Sequence, residues 1–339
     1  MMLLASVGVL LALGFAFTNG FQDAASTAAT MVSSRSATPR QAIILISVMN
    51  ALGAMIGGSA VAFTIAELVT GVDGTATVII MFSALFGAIA WNVTTWYHGI
   101  PSSSTYGLVG GIIGAGVAVA GTGGISWGFT ELTTSWQLVG AMKVFIYLLV
   151  SIAFGFIGGF LIFRLTRFLF RNAKRSVNLK LKRSQWIVTG IFALANGAND
   201  SQKQLGMIAL ILLSAGTTTA LDIPIWARVA VALAIGAGTL TGGWRVMKTV
   251  GSKLFVVQPI HSIDSQAVSG AAILISTFQG APISSTQVVS SSILGIGTAD
   301  NPRKVNWPKA RNVMSAWIIT FPAAAAIAGV VAFILSQFL

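Results

Sequence analysis

Long apolar runs, separated by short polar clusters, recur along the whole chain. They cover 1–34, 41–66, 75–97, 101–121 and 137–163, and then 185–215, 223–243, 258–278, 282–298 and 310–338. Most come close to the roughly 20 residues that a helix needs to cross a hydrocarbon core of about 30 Å. The runs are continuous, whereas the strands of a membrane barrel alternate apolar and polar positions. The pattern predicts an all-α integral membrane protein of about ten to twelve membrane helices or half-helices, some of them re-entrant. The first run has no basic n-region and leads straight into the polar cluster Thr18 to Asp23, so it reads as a helix of the mature chain and not as a cleaved signal peptide.

Composition agrees. Hydrophobic residues make up 55% of the 339, and charged residues only 8%, against about 25% in soluble domains. The 37 glycines suit helices that pack closely within lipid. Cysteine is absent, which excludes disulfides and thiolate metal sites. A net charge of +12 is read as basic cytoplasmic loops, with no nucleic-acid partner. Those loops give the orientation. The stretch from Arg164 to Arg183 holds eight basic residues and no acid; smaller clusters are Arg35 with Arg40, Arg245 with Lys248 and Lys253, and Arg303, Lys304, Lys309 and Arg311. Placing every cluster inside gives five crossings per half, so that both termini lie outside and the halves have opposite orientation. The expected organisation is a first inverted repeat over 1–163, a basic cytoplasmic linker over 164–183, and a second inverted repeat over 184–339.

Two polar motifs recur in order. Asn19-Gly20-Phe21-Gln22-Asp23 returns 177 positions later as Asn196-Gly197-Ala198-Asn199-Asp200. Gly99-Ile100-Pro101-Ser102-Ser103-Ser104-Thr105 returns 181 positions later as Gly280-Ala281-Pro282-Ile283-Ser284-Ser285-Thr286. Paired helix interruptions in inverted repeats are the architecture of secondary transporters, with the substrate at the repeat interface.

The motifs suggest two jobs. Asp23 and Asp200 sit in apolar runs, where an ionised group faces a cavity, a partner or an ion. Gly20 and Gly197 are expected to let the helix unwind, so that freed carbonyls join Asn19, Asp23, Asn196 and Asp200 in an oxygen site for a small cation. The alternative is a pair of buried kinks with satisfied polar groups. In each Pro-Ser-Thr motif, proline in the first turn and Ser or Thr capping predict a helix start at membrane depth. Such a start attracts anions, and Ser103, Ser104, Thr105, Ser284, Ser285 and Thr286 add hydroxyls; here the alternative is ordinary capping and close packing. Lys203, one turn after Asp200, either pairs with it or approaches the anion; its counterpart is Ser26. Gln22, Asn199 and Gln202 are weaker candidates for the surroundings of the site. Arg245 reads as a topology anchor, and His98 and His261 as structural.

The duplicated Asn–Asp signature, the duplicated P-x-S-[ST]-[ST] segments, the run Asn199 to Gly206, and Gly243-Trp244-Arg245 resemble the inorganic phosphate transporter (PiT) family in its short bacterial form. The resemblance covers nearly the whole chain. It implies a cell-membrane symporter with two helical hairpins and a midplane phosphate site. Phosphate would be held by Asp23, Ser103, Ser104, Thr105, Asp200, Ser284, Ser285 and Thr286. A coupling cation, sodium in preference to a proton, would sit at Asn19, Asp23, Asn196 and Asp200, with no other cofactor. Tyr106 and Gln287 stand where many bacterial members have His, which favours sodium. Sulfate or another tetrahedral oxyanion is the alternative substrate. An intramembrane lipid pyrophosphate phosphatase is a remote one, because the membrane-depth motifs hold no Arg or Glu and Glu67 and Glu131 are expected in loops. The chain is compatible with a homo-oligomer.

Overall fold

The computed structural model describes residues 2–174, 176–242, 247 and 254–338. It is helical throughout: α1 (Met2–Ser33), α2 (Pro39–Ile56), α3 (Ala60–Ala66), α4 (Gly74–Tyr97), α5 (Ser104–Ala120), α6 (Phe129–Thr134), α7 (Gly140–Leu169), α8 (Val177–Ser214), α9 (Ile225–Thr241), α10 (Pro259–Phe278), α11 (Ser285–Asp300) and α12 (Trp307–Ser336). Among the described residues, the nearest thing to a strand is an isolated bridge between Val69 and Ile125. Among the described residues, five helices (α1, α2, α4, α7 and α12) are long and apolar enough to cross a membrane. The anchor Arg245, with Lys248 and Lys253, lies outside the described residues.

Polarity is arranged inside out relative to a water-soluble protein. Leu149, Ile157 and Leu161 on α7, and Ile318, Val330 and Phe333 on α12, are exposed, while Asp23, Asp200 and Lys203 are buried. Two apolar cores flank a polar middle. One takes Ala5 to Ala16 of α1 and Leu205 to Ile211 of α8. The other takes Ala25 to Met31 of α1 and Phe192 to Ala195 of α8. The polar motifs of both helices fall between the two cores. Gly8 lies against Ile211 and Asp23 against Asp200, so α1 and α8 run antiparallel with their motifs at one level.

Several expectations change. α1 and α8 are unbroken through Gly20 and Gly197, so the expected unwinding does not occur. The glycines serve close packing instead. A Cβ on Gly20 would run into the carbonyl oxygen of Ile235 on α9, and one on Gly197 into that of Asn50 on α2. Gly238 against Phe17 and Gly53 against Leu194 complete the two contacts from the other side. The break falls instead within the run 41–66, at 57–59 between α2 and α3. Much of the basic stretch 164–183 is helical, because α7 continues to Leu169 and α8 begins at Val177. Glu131 lies in α6, not in a loop.

The packing partners follow a pattern. α1 packs on α9 and α2 on α8; α5 packs on α12 and α11 on α7. Small residues permit each approach, as is usual where helices pack in lipid: Gly110 and Gly114 meet Phe321 and Ala325, and Gly295 meets Phe156. A test compares Gly20→Ala and Gly197→Ala with Gly58→Ala, whose added methyl meets nothing within 4 Å. The first two should lose about 1–3 kcal/mol through overpacking, seen as a lower thermal unfolding temperature in detergent, while Gly58→Ala stays at the wild-type value.

Candidate functional site

Two helix–turn–helix units aim their turns at the polar middle. α4 turns into α5 through 98–103, and α10 turns into α11 through 279–284. Gly99 and Gly280 open the turns at φ of 66° and 65°, a left-handed conformation natural to glycine. Ser103 and Ser284 are the N-caps, their side chains accepting from the backbone N–H groups of Tyr106 and Gln287. Both motifs are therefore helix starts, but proline does not occupy the first turn. Pro101 and Pro282 precede their caps by two positions, and the capping falls to serine. The Ser103 and Ser284 hydroxyls are thus engaged by their own helices.

The two turns meet. Thr105 Oγ1 donates to the Ile283 carbonyl at 2.9 Å. Lys203 Nζ reaches both, donating to Thr105 Oγ1 at 2.7 Å, to the Ile283 carbonyl at 3.1 Å and to Asp200 Oδ1 at 2.5 Å. From the other turn, Thr286 Oγ1 donates to Asp23 Oδ1 at 3.1 Å. Asp23, Asp200, Lys203, Thr105 and Thr286 thus form one cluster, with no residue more than 3% exposed. Two unit charges 4 Å apart interact by about 4 kcal/mol at an effective dielectric constant of about 20, so each carboxylate requires compensation there. Lys203 pairs with Asp200, one of the two roles expected of it.

The remaining candidates divide. Asn19 and Asn196 are buried one turn before their acids, and Asn19 Oδ1 finds no partner among the described residues. Ser104 is buried, and Ser285 Oγ is buried with no partner among the described residues. Gln22 donates to Ser102, both to its carbonyl at 3.1 Å and to its hydroxyl. Asn199 donates to Thr277 Oγ1 at 2.8 Å and more weakly to the Ala281 carbonyl. These two side chains fasten α1 and α8 to the hairpins. Gln202 faces elsewhere, its Oε1 accepting from Val61 N–H at the start of α3. His98 is exposed and His261 packs against Phe163 and Phe255.

Other buried polar residues belong to no repeated motif. Gln266 accepts from Gln185 and Thr189 and donates to the Thr27 carbonyl and Thr30 Oγ1, which ties α8 and α10 to α1. Asp264 accepts from Thr166 on α7 at 2.7 Å. Asn92 donates to Thr18 at 3.5 Å, while its Oδ1 has no partner among the described residues. The available signal was a lone amide or acid inside an apolar run. A cleft of about 750 Å³, lined by Trp91, Thr95, His98, Pro101, Lys309 and Asn312, opens beside the first turn. Beside the second turn a cleft lined by Tyr147, Ser276 and Gln279 holds about 80 Å³.

An apolar belt around a buried, charged middle defines a multi-pass membrane protein with a central polar site. A profile of the Phosphate transporter family matches residues 19–328, and the chain belongs to that family. A Bacillus subtilis protein described as "Probable low-affinity inorganic phosphate transporter" is 36% identical over 99% of this chain and 98% of its own length. One of the same description from Rhizobium meliloti is 35% identical over 94% and 92%. A solved structure titled "The sodium-dependent phosphate transporter" superposes with a TM-score of 0.81 at 25% identity over the whole of both chains. The relatives are transporters and not enzymes, and the phosphatase reading is set aside.

The Asp200–Lys203 pair can be tested by stability. In sodium-free buffer Asp200→Asn and Lys203→Met should each cost about 3–5 kcal/mol, as expected when one member of a buried ion pair is removed. The double variant should lose clearly less than the two losses combined, as read from thermal unfolding in detergent.

Proposed function

We propose that the protein is a sodium-coupled inorganic phosphate symporter that works by alternating access. The observation that carries this reading is the buried cluster of Asp23, Asp200, Lys203, Thr105 and Thr286 where two hairpin turns meet. Phosphate sits against the starts of α5 and α11, with Ser104, Thr105, Ser285 and Thr286 supplying hydroxyls. Sodium binds beside Asn19, Asp23, Asn196 and Asp200. Its charge offsets the carboxylates, which would otherwise repel the anion, and that repulsion couples the two solutes. Hydrogen phosphate can give a proton to a carboxylate, whereas sulfate has none to give, so phosphate is the preferred oxyanion. The sodium-dependent structural relative favours sodium over the proton.

The reading also takes 1–163 and 184–339 as inverted repeats joined by the linker 164–183. The exchange of packing partners supports it, since α1 on α9 mirrors α8 on α2, and α5 on α12 mirrors α11 on α7. The antiparallel course of α1 and α8 supports it as well. With the basic clusters inside, the larger cleft opens inward beside Lys309, and its outward equivalent is nearly closed, as one side of an alternating cycle requires.

In proteoliposomes, an inward sodium gradient should accelerate labelled phosphate uptake, and excess sulfate should compete poorly. Asp23→Asn and Asp200→Asn should each cut uptake by roughly tenfold or more, equivalent to at least about 1.4 kcal/mol in rate. Equal uptake with and without the gradient would exclude sodium coupling, and full uptake by Asp200→Asn would remove that acid from the mechanism.

A further inference from the structure

The two halves of the site are not equivalent. The repeat that aligns Asp200 with Asp23 aligns Lys203 with Ser26. An ammonium group has three protons to donate and no acceptor. Lys203 directs all three at oxygens: a carboxylate (Asp200 Oδ1), a hydroxyl (Thr105 Oγ1) and a backbone carbonyl (Ile283). That donor set is also one that would surround a small monovalent cation. Asp23 receives one hydroxyl hydrogen bond, from Thr286 to Oδ1, and its carboxyl lies against that of Asp200. Its Oδ2 is buried with no partner among the described residues, as is Asn19 Oδ1 one turn earlier on the same helix face. Ser26 cannot supply the missing proton, because its hydroxyl, like that of Thr27, donates to the Asp23 backbone carbonyl.

We propose that Lys203 is a tethered cation that permanently fills the cation position of the second half, so that one mobile cation, bound at Asp23 and Asn19, completes the site in each cycle. This rests on the sodium-coupled reading above and narrows it: of the four cation candidates, only Asn19 and Asp23 exchange their ion with solution. Charge counting agrees. With both acids ionised, two carboxylates and one ammonium carry a single negative charge, which one sodium ion cancels. A second mobile ion would find Asp200 Oδ1 and the Ile283 carbonyl already engaged by the ammonium. The same ammonium also joins the start of α5 to the turn before α11.

The test measures initial phosphate uptake against external sodium in proteoliposomes, for wild type and for Lys203→Ser, which restores the residue found in the first half. The Hill coefficient cannot exceed the number of coupled sites. Wild type should give a coefficient of about 1, and Lys203→Ser a steeper curve approaching about 2, with little uptake at low sodium. A wild-type coefficient near 2, or a variant curve no steeper than wild type, overturns the proposal. Uptake by wild type that ignores sodium overturns the sodium-coupled reading itself, and the proposal with it. If Lys203→Ser does not fold, the sodium-induced rise in thermal stability of Asp23→Asn in detergent decides. Complete loss of that rise supports a single mobile site, and a retained rise overturns it.

Discussion

An ionised carboxylate at the centre of a membrane protein must be partnered, and the fold is organised around meeting that demand for Asp200. Its partner is the Lys203 ammonium at 2.5 Å, which also holds Thr105 and the Ile283 carbonyl. Three parts of the chain, far apart in sequence, converge on one nitrogen: α8, the start of α5, and the turn before α11. Removing water from such a pair is costly, and the pair persists only where further hydrogen bonds complete the geometry. Here the hairpin turns supply those bonds, so the charge pair and the meeting of the turns depend on each other.

The helices around the cluster are held by contact, not by a hydrophobic drive, because lipid is as apolar as the helix surfaces. Glycine against a partner's carbonyl is the recurring device at the contacts of α1 with α9, α2 with α8, α5 with α12 and α7 with α11. Gln22, Asn199 and Gln266 then pin α1 and α8 to the hairpins and to α10. The result is a rigid surround for a site in which several oxygens (Asp23 Oδ2, Asn19 Oδ1 and Ser285 Oγ) are left without protein partners among the described residues.

Much of this was legible in the sequence, for a physical reason. Polar residues are so expensive at membrane depth that a duplicated Asn–Asp or Pro-Ser-Thr motif stands out against apolar surroundings. The convergence of Asp23, Asp200, Thr105 and Thr286 follows from the two motifs recurring in the same order. The role of Gly20 and Gly197 was not legible. Glycine serves equally for unwinding and for close approach, and only the position of Ile235 and Asn50 decides between them. The attachment of Lys203 to the opposite hairpin was also hidden, since Thr105 lies 98 residues away and its side chain carries no mark of its partner. Gln266 was missed because it sits in a segment that repeats no motif, although its amide ties three helices together.

The exchange of partners between the halves bears on how the chain is made. α1 and α2 seat their closest glycine contacts on α9 and α8, and α5 and α7 on α12 and α11, all of which emerge later from the ribosome. The helices before Arg164 therefore enter the bilayer with their grooves unfilled and with Asp23 without its Thr286 partner. The two halves fill each other's grooves, and a chain ending after α7 lacks the partners of α1, α2, α5 and α7.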